Sequence, residues 1–485
     1  MIRTSALKLG AIALFYLRKR HLCPPYGIDA QSEEEDHEGN SNFKGGTVYN
    51  FLQRTQYADI PEDVLRFAKR CLVDLLGVAT AGTQTKLSHL ISEHALSQFG
   101  AAGSGASILF GGGRVSPAGA ALANGMMIDS IDAHDGYRPA KGHVGCHVLP
   151  ALLAFHEVNP GRTGREFLSD FVIGYEIGCR AGAALHASAP DYHTSGAWGA
   201  VTAAALGGRI MGLEEAKIRH AVGIGEYHGP RSQMMRVIDH PTMLKDGSGW
   251  GAMAGVSAAF LAKSGFTGAP AITIEDEGVA NHWRDLGQRW LIKEQYFKPY
   301  PVCRWAQPAT AAALSLSEEH GISFSEIDKI EVYTFHEACR LATRRPLDTE
   351  QAQYSLPFPV AAALVFGRIG PAEIDGPNLT DKRVLRLSSS IDLIEVDSYN
   401  EAFPQDRYAH VHVKLKNGEL LKSARYQANG DPETPLSDEE ILTKFHDLSD
   451  PILGRDRSMK IADAVFALES EGNLEQLLDL ITKQI

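Results

Sequence analysis

Three stretches of this chain are built largely from small residues. They are "SPAGAALANGMMIDSIDA" (residues 116–133), "AWGAVTAAALGGRIMG" (197–212) and "GAMAGVSAAFLAKSG" (251–265). Alanine is the best helix former, and alanine and glycine put almost no side chain between two neighbouring backbones. Such runs predict helices buried against one another at close range. Another stretch, "PEDVLRFAKRCLVDLLGVATAG", opens with Pro61 at a helix start and spaces Val64, Phe67, Cys71, Leu72 and Leu75 as a helical stripe. From Tyr49 to about Gly265 the chain reads as helical.

Past Gln295 the texture changes. "IDKIEVYTF" and "YAHVHVKLKNGELLKSARYQ" are alternating or β-branched, with Asn417-Gly418 at a hairpin turn. The helical "QYSLPFPVAAALVFG" lies between them. From Leu436 the chain turns helical again, and Ser437 with Glu440 forms a capping-box pattern. With 485 residues the chain exceeds one simple core. The expected fold is mainly α with an α+β part: a helical domain over 47–292, an α+β lid domain over 293–435, and C-terminal helices over 436–485 that pack back on the helical domain.

Residues 1–46 read as a leader and disordered linker. "MIRTSALKLGAIALFYLRKRH" is basic and acid-free, in the manner of a mitochondrial presequence, and "QSEEEDHEGNSNFKGG" is polar. A cytoplasmic or mitochondrial-matrix location follows from this reading; a signal-type segment or a dispensable start are the other readings. The apolar run Leu9 to Leu17 is too short to span a bilayer, so no stable membrane span is expected. A formal charge of −12 argues against a general nucleic-acid surface. The six cysteines are scattered, with no CxxC pair, which argues against a disulfide framework or a structural zinc site.

Four polar islands interrupt the apolar scaffold. The first, "IDSIDAHDGYRPAKGHVGCHVLPA", gathers Asp129, Asp132, Asp135, His134, His143 and His147. Asp129 and Asp132 share a face if helical, and paired carboxylates raise one pKa, which suits proton transfer. His143 and His147 have the four-residue spacing of a metal pair, with Cys146 or Asp132 as a third ligand, but Gly142 and Gly145 oppose a continuous helix there. The second, "PDYHTSGAWGA", sets His193 before a helix that Thr194 or Ser195 would cap. The third, "EYHGPRSQMMRVIDHPTMLKDGSGWGA", puts Lys245 beside a Gly-Ser-Gly turn. The fourth, "YFKPYPVCRWAQPA", sets Lys298 and Arg304 among aromatics, either as cation–π packing or as a carboxylate pocket. No GxSxG elbow, GxGxxG fingerprint or P-loop is present, and nothing requires an organic cofactor.

The order of "NGMMIDSIDAHDGYRPAKGHVGCHVLPA", "GYEIGCRAG", "YHTSGAWGA", "MLKDGSGWGA" and "FKPYPVCRWAQPA" resembles the MmgE/PrpD family from about Thr47 to the C-terminus. That family includes 2-methylcitrate dehydratase, cis-aconitate decarboxylase and iminodisuccinate epimerase. The resemblance implies homodimers, a small polycarboxylate substrate, and catalysis with no metal and no cofactor. Carried over by motif, it implies catalytic roles for Asp132, His143, His193 and Lys245. It implies substrate binding by Lys298, Arg304 and Cys303, with Tyr354 of the "QYSL" stretch added. Decarboxylases of the family have threonine where Gly136 stands, histidine where Cys303 stands and no arginine at Arg304. The expected chemistry is therefore a cofactor-independent lyase, dehydration first. Decarboxylation, epimerisation and a catalytically silent binding protein are the alternatives.

Overall fold

A computed structural model describes residues 46–485 apart from Ala102, Gly112 and Glu471; the leader reading lies outside the described residues. The first core is helical. Helix α1 (Glu62–Gly82) is amphipathic only in its first half; from Cys71 onward every residue is buried. Around it stand α2 (Pro117–Asp129), α3 (Gly145–Val158), α4 (Gly164–Ser188), α5 (Gly196–Ile210), α6 (Glu215–His228) and α7 (Ser248–Lys263). Here the small-residue runs do what their composition predicts. A Cβ on Gly251 would stand 2.3 Å from the Gly196 carbonyl, and one on Gly255 2.3 Å from the Ala200 carbonyl. Helices α7 and α5 thus touch backbone to backbone, an approach only glycine permits.

The second core is α+β. It contains α8 (Gln307–His320), β1 (Ile327–Thr334), α9 (Pro357–Phe366), β2 (Ile391–Glu395), β3 (Tyr408–Leu415), β4 (Leu420–Lys422) and β5 (Tyr426–Gln427). The sheet runs β2-β1-β3-β4, with β5 also on β3. β1 and β2 are parallel, whereas β1 and β3 are antiparallel with Ile330 opposite Val413 and Val332 opposite Val411. Asn417 and Gly418 make the β3–β4 turn, with Gly418 at φ +92°. Inward residues Ile330, Val332, Val411 and Val413 are fully buried.

The last three helices are α10 (Asp438–Leu453), α11 (Arg455–Phe466) and α12 (Asn473–Thr482). Ser437 and Glu440 close the capping box on α10. Their apolar faces, including Phe445, Ile461 and Leu477, join the first core. Met234, Val237 and Ile238 are early in the sequence yet belong to the second core. Gly430 joins the two parts. Phe297 N–H donates to its carbonyl at 2.9 Å, and its φ of +96° and a Cβ only 2.1 Å from the Phe297 carbonyl exclude any side chain there. Among the described residues no helix is long and apolar enough to cross a membrane.

Candidate active site

Helix α2 stops at Asp129, and the chain does not continue as a helix to Asp132. Asp132 takes a left-handed backbone (φ +49°), so the shared helical face expected for the two aspartates is not formed. Lys141 and Lys245 take the same conformation, each at φ +50°. A non-glycine residue held there costs about 1–3 kcal/mol, and of the four among the described residues all but Phe110 stand at this site or one layer behind it. Backbone bonds Gly136 N–H to the Tyr296 carbonyl (3.0 Å) and Tyr296 N–H to the Gly136 carbonyl (2.8 Å) lay this loop along the segment carrying Lys298.

The loop, the Tyr296–Trp305 segment, Tyr192, Tyr354 and Arg407 enclose a cavity of about 40 Å³. That is room for roughly three waters. Among the expected residues, Asp132, His143, Lys298, Cys303, Arg304 and Tyr354 all line it. His193 and Lys245 do not. His193 is only half-buried; its Nδ1 meets the Asp191 carbonyl at 2.8 Å and its backbone N–H donates to His186 Nε2. Lys245 lies one layer back. Its Nζ donates to Gln353 Oε1 at 2.5 Å and sits 4.8 Å from the centre of the Tyr354 ring. Gln353 also holds Ser130 and, through its backbone carbonyl, Cys303, so it ties three segments of the site together.

His143 is the best-defined group. Burial, and then the charge of Lys298, push its pKa well below the ordinary histidine range, so the ring is neutral near pH 7. Its Nδ1 lies 2.6 Å from the Asp135 carbonyl, which only accepts. Nδ1 therefore carries the proton, and Nε2 presents a free lone pair. Nε2 is 3.9 Å from Asp246 Oδ2. Ser195 completes the mount: its hydroxyl accepts from His143 N–H at 3.0 Å and donates to Asp246 at 2.7 Å. The expected helix cap by Ser195 is not made, because this hydroxyl is already used. Behind His143 stands His134, ring to ring at 4.3 Å, with its pKa lowered to about 3 by burial and by Lys298.

The buried carboxyls divide into two kinds. Burial raises Asp132, but Lys298, at 2.6 Å from its Oδ1, and Lys245 outweigh it and hold Asp132 below the usual range. Among the described residues no lysine or arginine pairs with Asp129 or Asp246, and Lys245 only partly offsets the burial of Asp129. Burial pushes Asp129 up to about 6; burial and then the charge of Asp129 push Asp246 up to about 7. Asp129 Oδ2 accepts Asp246 N–H at 3.1 Å.

The remaining wall is cationic. Arg138, Lys141, Lys298, Arg304 and Arg407 line the cavity, against Asp132 as its lining acid. Arg304 pairs with Asp431 and lies 4.9 Å over the Tyr296 ring. Burial pushes the Tyr296 phenol up to about 12, so it keeps its proton at neutral pH. Burial also pushes the Cys303 thiol up to about 12, so it is no thiolate. The sequence reading missed Arg407, which stands just before β3 in "FPQDRYAH" with no motif around it. It also missed Asp246, Ser195 and Gln353. Asp246 follows Lys245 directly, and that juxtaposition was the available clue.

The His143–His147 metal pair does not form. Helix α3 begins at Gly145, and His147 is buried in it with its ring 4.8 Å from Trp198 and neither ring nitrogen hydrogen-bonded. Among the described residues, the group whose ligand atoms do lie close, within 4.8 Å of one another, is Asp132, His134 and His143. A cation there would have to displace the Lys298 ammonium from Asp132.

A helical core and an α+β core thus share a buried cavity lined by cations and a neutral histidine. The chain matches the MmgE/PrpD N-terminal domain over residues 47–285 and the MmgE/PrpD C-terminal domain over 300–469. It belongs to the MmgE/PrpD family. It is 25% identical to cis-aconitate decarboxylase of Homo sapiens over 448 residues, 87% of this chain and 91% of that protein. It is 24% identical to cis-aconitate decarboxylase of Aspergillus terreus over 488 residues, 91% of this chain and 97% of that protein. The 2-methylcitrate dehydratase of Escherichia coli (strain K12) is 26% identical over 215 residues, 40% of this chain and 44% of that protein.

Proposed function

We propose that this cavity binds a small polycarboxylate and removes a proton from the carbon next to one of its carboxylates, as a lyase that eliminates water. The observation that carries the reading is His143: a neutral imidazole with Nδ1–H fixed on a carbonyl and Nε2 free, facing a cationic wall. In the step, Nε2 takes the proton and the carbon's electron pair passes into the adjacent carboxylate. Lys298 offsets the charge that develops there. The pair then returns to form the C=C bond as the C–O bond breaks; the leaving hydroxide takes the proton of Tyr296, whose ring is 6.2 Å from that of His143, to form water, and the proton held by His143 returns to the Tyr296 phenolate to reset the site. A neutral base and a neutral acid around one cavity suit elimination, which needs both. Cys303 packs beside this chemistry as a thiol, and Lys245 acts from behind Tyr354. A polycarboxylate is larger than three waters, so loading requires the α+β part to swing away as a lid.

Decarboxylation is the second reading, favoured by the long coverage of the decarboxylase relatives. Gly136 opposes it: a Cβ there would meet the Tyr296 ring at 2.4 Å, so Tyr296 occupies the room the threonine of the decarboxylases needs. The deciding experiment incubates the protein with citrate-, aconitate- and iminodisuccinate-like acids in deuterated water and follows them by NMR. Formation of the unsaturated acid supports the proposal. Carbon dioxide release identifies a decarboxylase, deuterium exchange without net turnover an epimerase, and binding with none of these a silent binding protein. We also propose a homodimer; light scattering that reads a monomer refutes it.

A further inference from the structure

Arg304 and Arg407 enter the cavity from separate segments, and their charge is only half answered. Arg304 is 6% exposed and Arg407 8%. Asp431 takes one terminal nitrogen of Arg304, leaving Nε and the other terminal nitrogen buried with no hydrogen-bond partner. The Arg407 guanidinium makes no hydrogen bond or ion pair with any described residue; its Nε is buried and unpartnered, and it lies 5.8 Å over the Phe403 ring. Burial, and then the charge of Arg304, hold its pKa below the ordinary arginine value. Arg138, the other guanidinium here, is already held by Glu433 and by the Gln405 carbonyl. Lys298 is held by Asp132. Two guanidiniums with one carboxylate therefore leave one positive charge and a set of N–H donors unmet, in a site shielded from water. Buried donors without acceptors are rare in a finished site, and the planar fork of arginine matches the plane of a carboxylate.

We propose that Arg304 and Arg407, steadied by Asp431 and the Tyr296 ring, form a subsite for one further carboxylate of the substrate, one not attached to the reacting carbon. The inference rests on the polycarboxylate reading and adds to it: the substrate carries a carboxylate that the His143–Lys298 chemistry does not use, and the enzyme selects for it. A dicarboxylate lacking that group leaves the donors unmet and binds weakly.

Calorimetry with unreactive acids tests this apart from turnover. Tricarballylate has three carboxylates; glutarate and methylsuccinate are the same skeleton with one fewer. The wild type is expected to bind tricarballylate ~100-fold tighter than the better dicarboxylate, the size of one desolvated charge pair. Arg407→Gln is expected to remove that preference while leaving affinity for that dicarboxylate within ~3-fold, as an independent contact would. Arg407→Lys, which keeps the charge and loses the fork, should fall between and serves if the glutamine variant fails to fold. If the wild type prefers tricarballylate and both Arg407 variants keep the preference, the subsite is overturned while the polycarboxylate reading stands. If the wild type binds none of the acids, the underlying reading falls, and the subsite with it.

Discussion

The two walls of the cavity are built by different means. The wall from the first core, Asp132 to His143 with Asp246 behind, is a tight loop rich in buried carboxyls and imidazoles. The wall from the second core is built of two arginines, Arg304 and Arg407, with Asp431 against the first. The first wall is wired by short hydrogen bonds to backbone, such as His143 to the Asp135 carbonyl. The second keeps unpartnered nitrogens. A site that moves protons needs exact placement of the groups that move them, whereas recognition of charge tolerates donors left waiting for the ligand. Substitutions in the first wall should therefore lower kcat, and those in the second should raise KM.

The largest expected effect breaks the comparison most directly. His143→Ala should lower kcat by ~10³-fold with little change in KM, the range for loss of a general base. His193→Ala, at a half-buried residue off the cavity, should stay within ~10-fold by the same measure. Steady-state kinetics showing the reverse order would move the chemistry to His193. Next comes Lys298→Ala, which leaves Asp132 buried without its cation and should cost about 3–5 kcal/mol of stability in denaturant titration. Adding Asp132→Asn should restore much of that stability and none of the activity. If Lys298→Ala is neutral in stability, the pair is not buried as described.

A smaller effect follows pH. Asp129 and Asp246 hold protons in the fold up to about 6 and about 7, against ~4 for a free carboxyl. Their contribution is fully present below ~4 and is lost as pH rises through those folded values. Asp246→Asn removes the deprotonation cost, so it should raise Tm at pH 8 by ~2 °C more than at pH 5. An equal shift at both values would show that Asp246 does not titrate in this window. The smallest effect is at His147: His147→Leu replaces an unpartnered buried imidazole with an apolar side chain and should change turnover by less than ~3-fold while holding or raising Tm. EDTA should leave activity unchanged; loss on chelation, restored by zinc or iron, would put a metal on Asp132, His134 and His143.

The first wall was legible because its chemistry is contiguous. One stretch of 24 residues holds Asp132 and His143 in a recognisable order, and "FKPYPVCRW" adds Lys298, Cys303 and Arg304. The helix-rich and strand-rich halves were legible from small-residue runs and β-branched alternation. What sequence did not show is what folding brings from afar. Arg407 reaches the cavity from the start of a strand, and nothing near it in sequence marks it. Ser195 had a local role to offer, the helix cap, and a distant partner, Asp246, took its hydroxyl. Asp129 and Asp132 seemed to share a helical face because nothing in the residues announces that the helix ends at Asp129. Lys245 and His193 were carried by motif, and motif cannot say which residues line a cavity and which stand behind it.

The left-handed backbones of Asp132, Lys141 and Lys245 carry a consequence for how this protein can evolve. Glycine at Lys141, whose side chain is exposed, would relax the chain, whereas at Asp132 it would leave the buried Lys298 without its carboxylate. Selection for thermal endurance alone would drift toward glycine at Lys141 and remove one of the cations that line the cavity. A population screened for both heat tolerance and turnover should keep all three side chains and find its stabilising changes elsewhere.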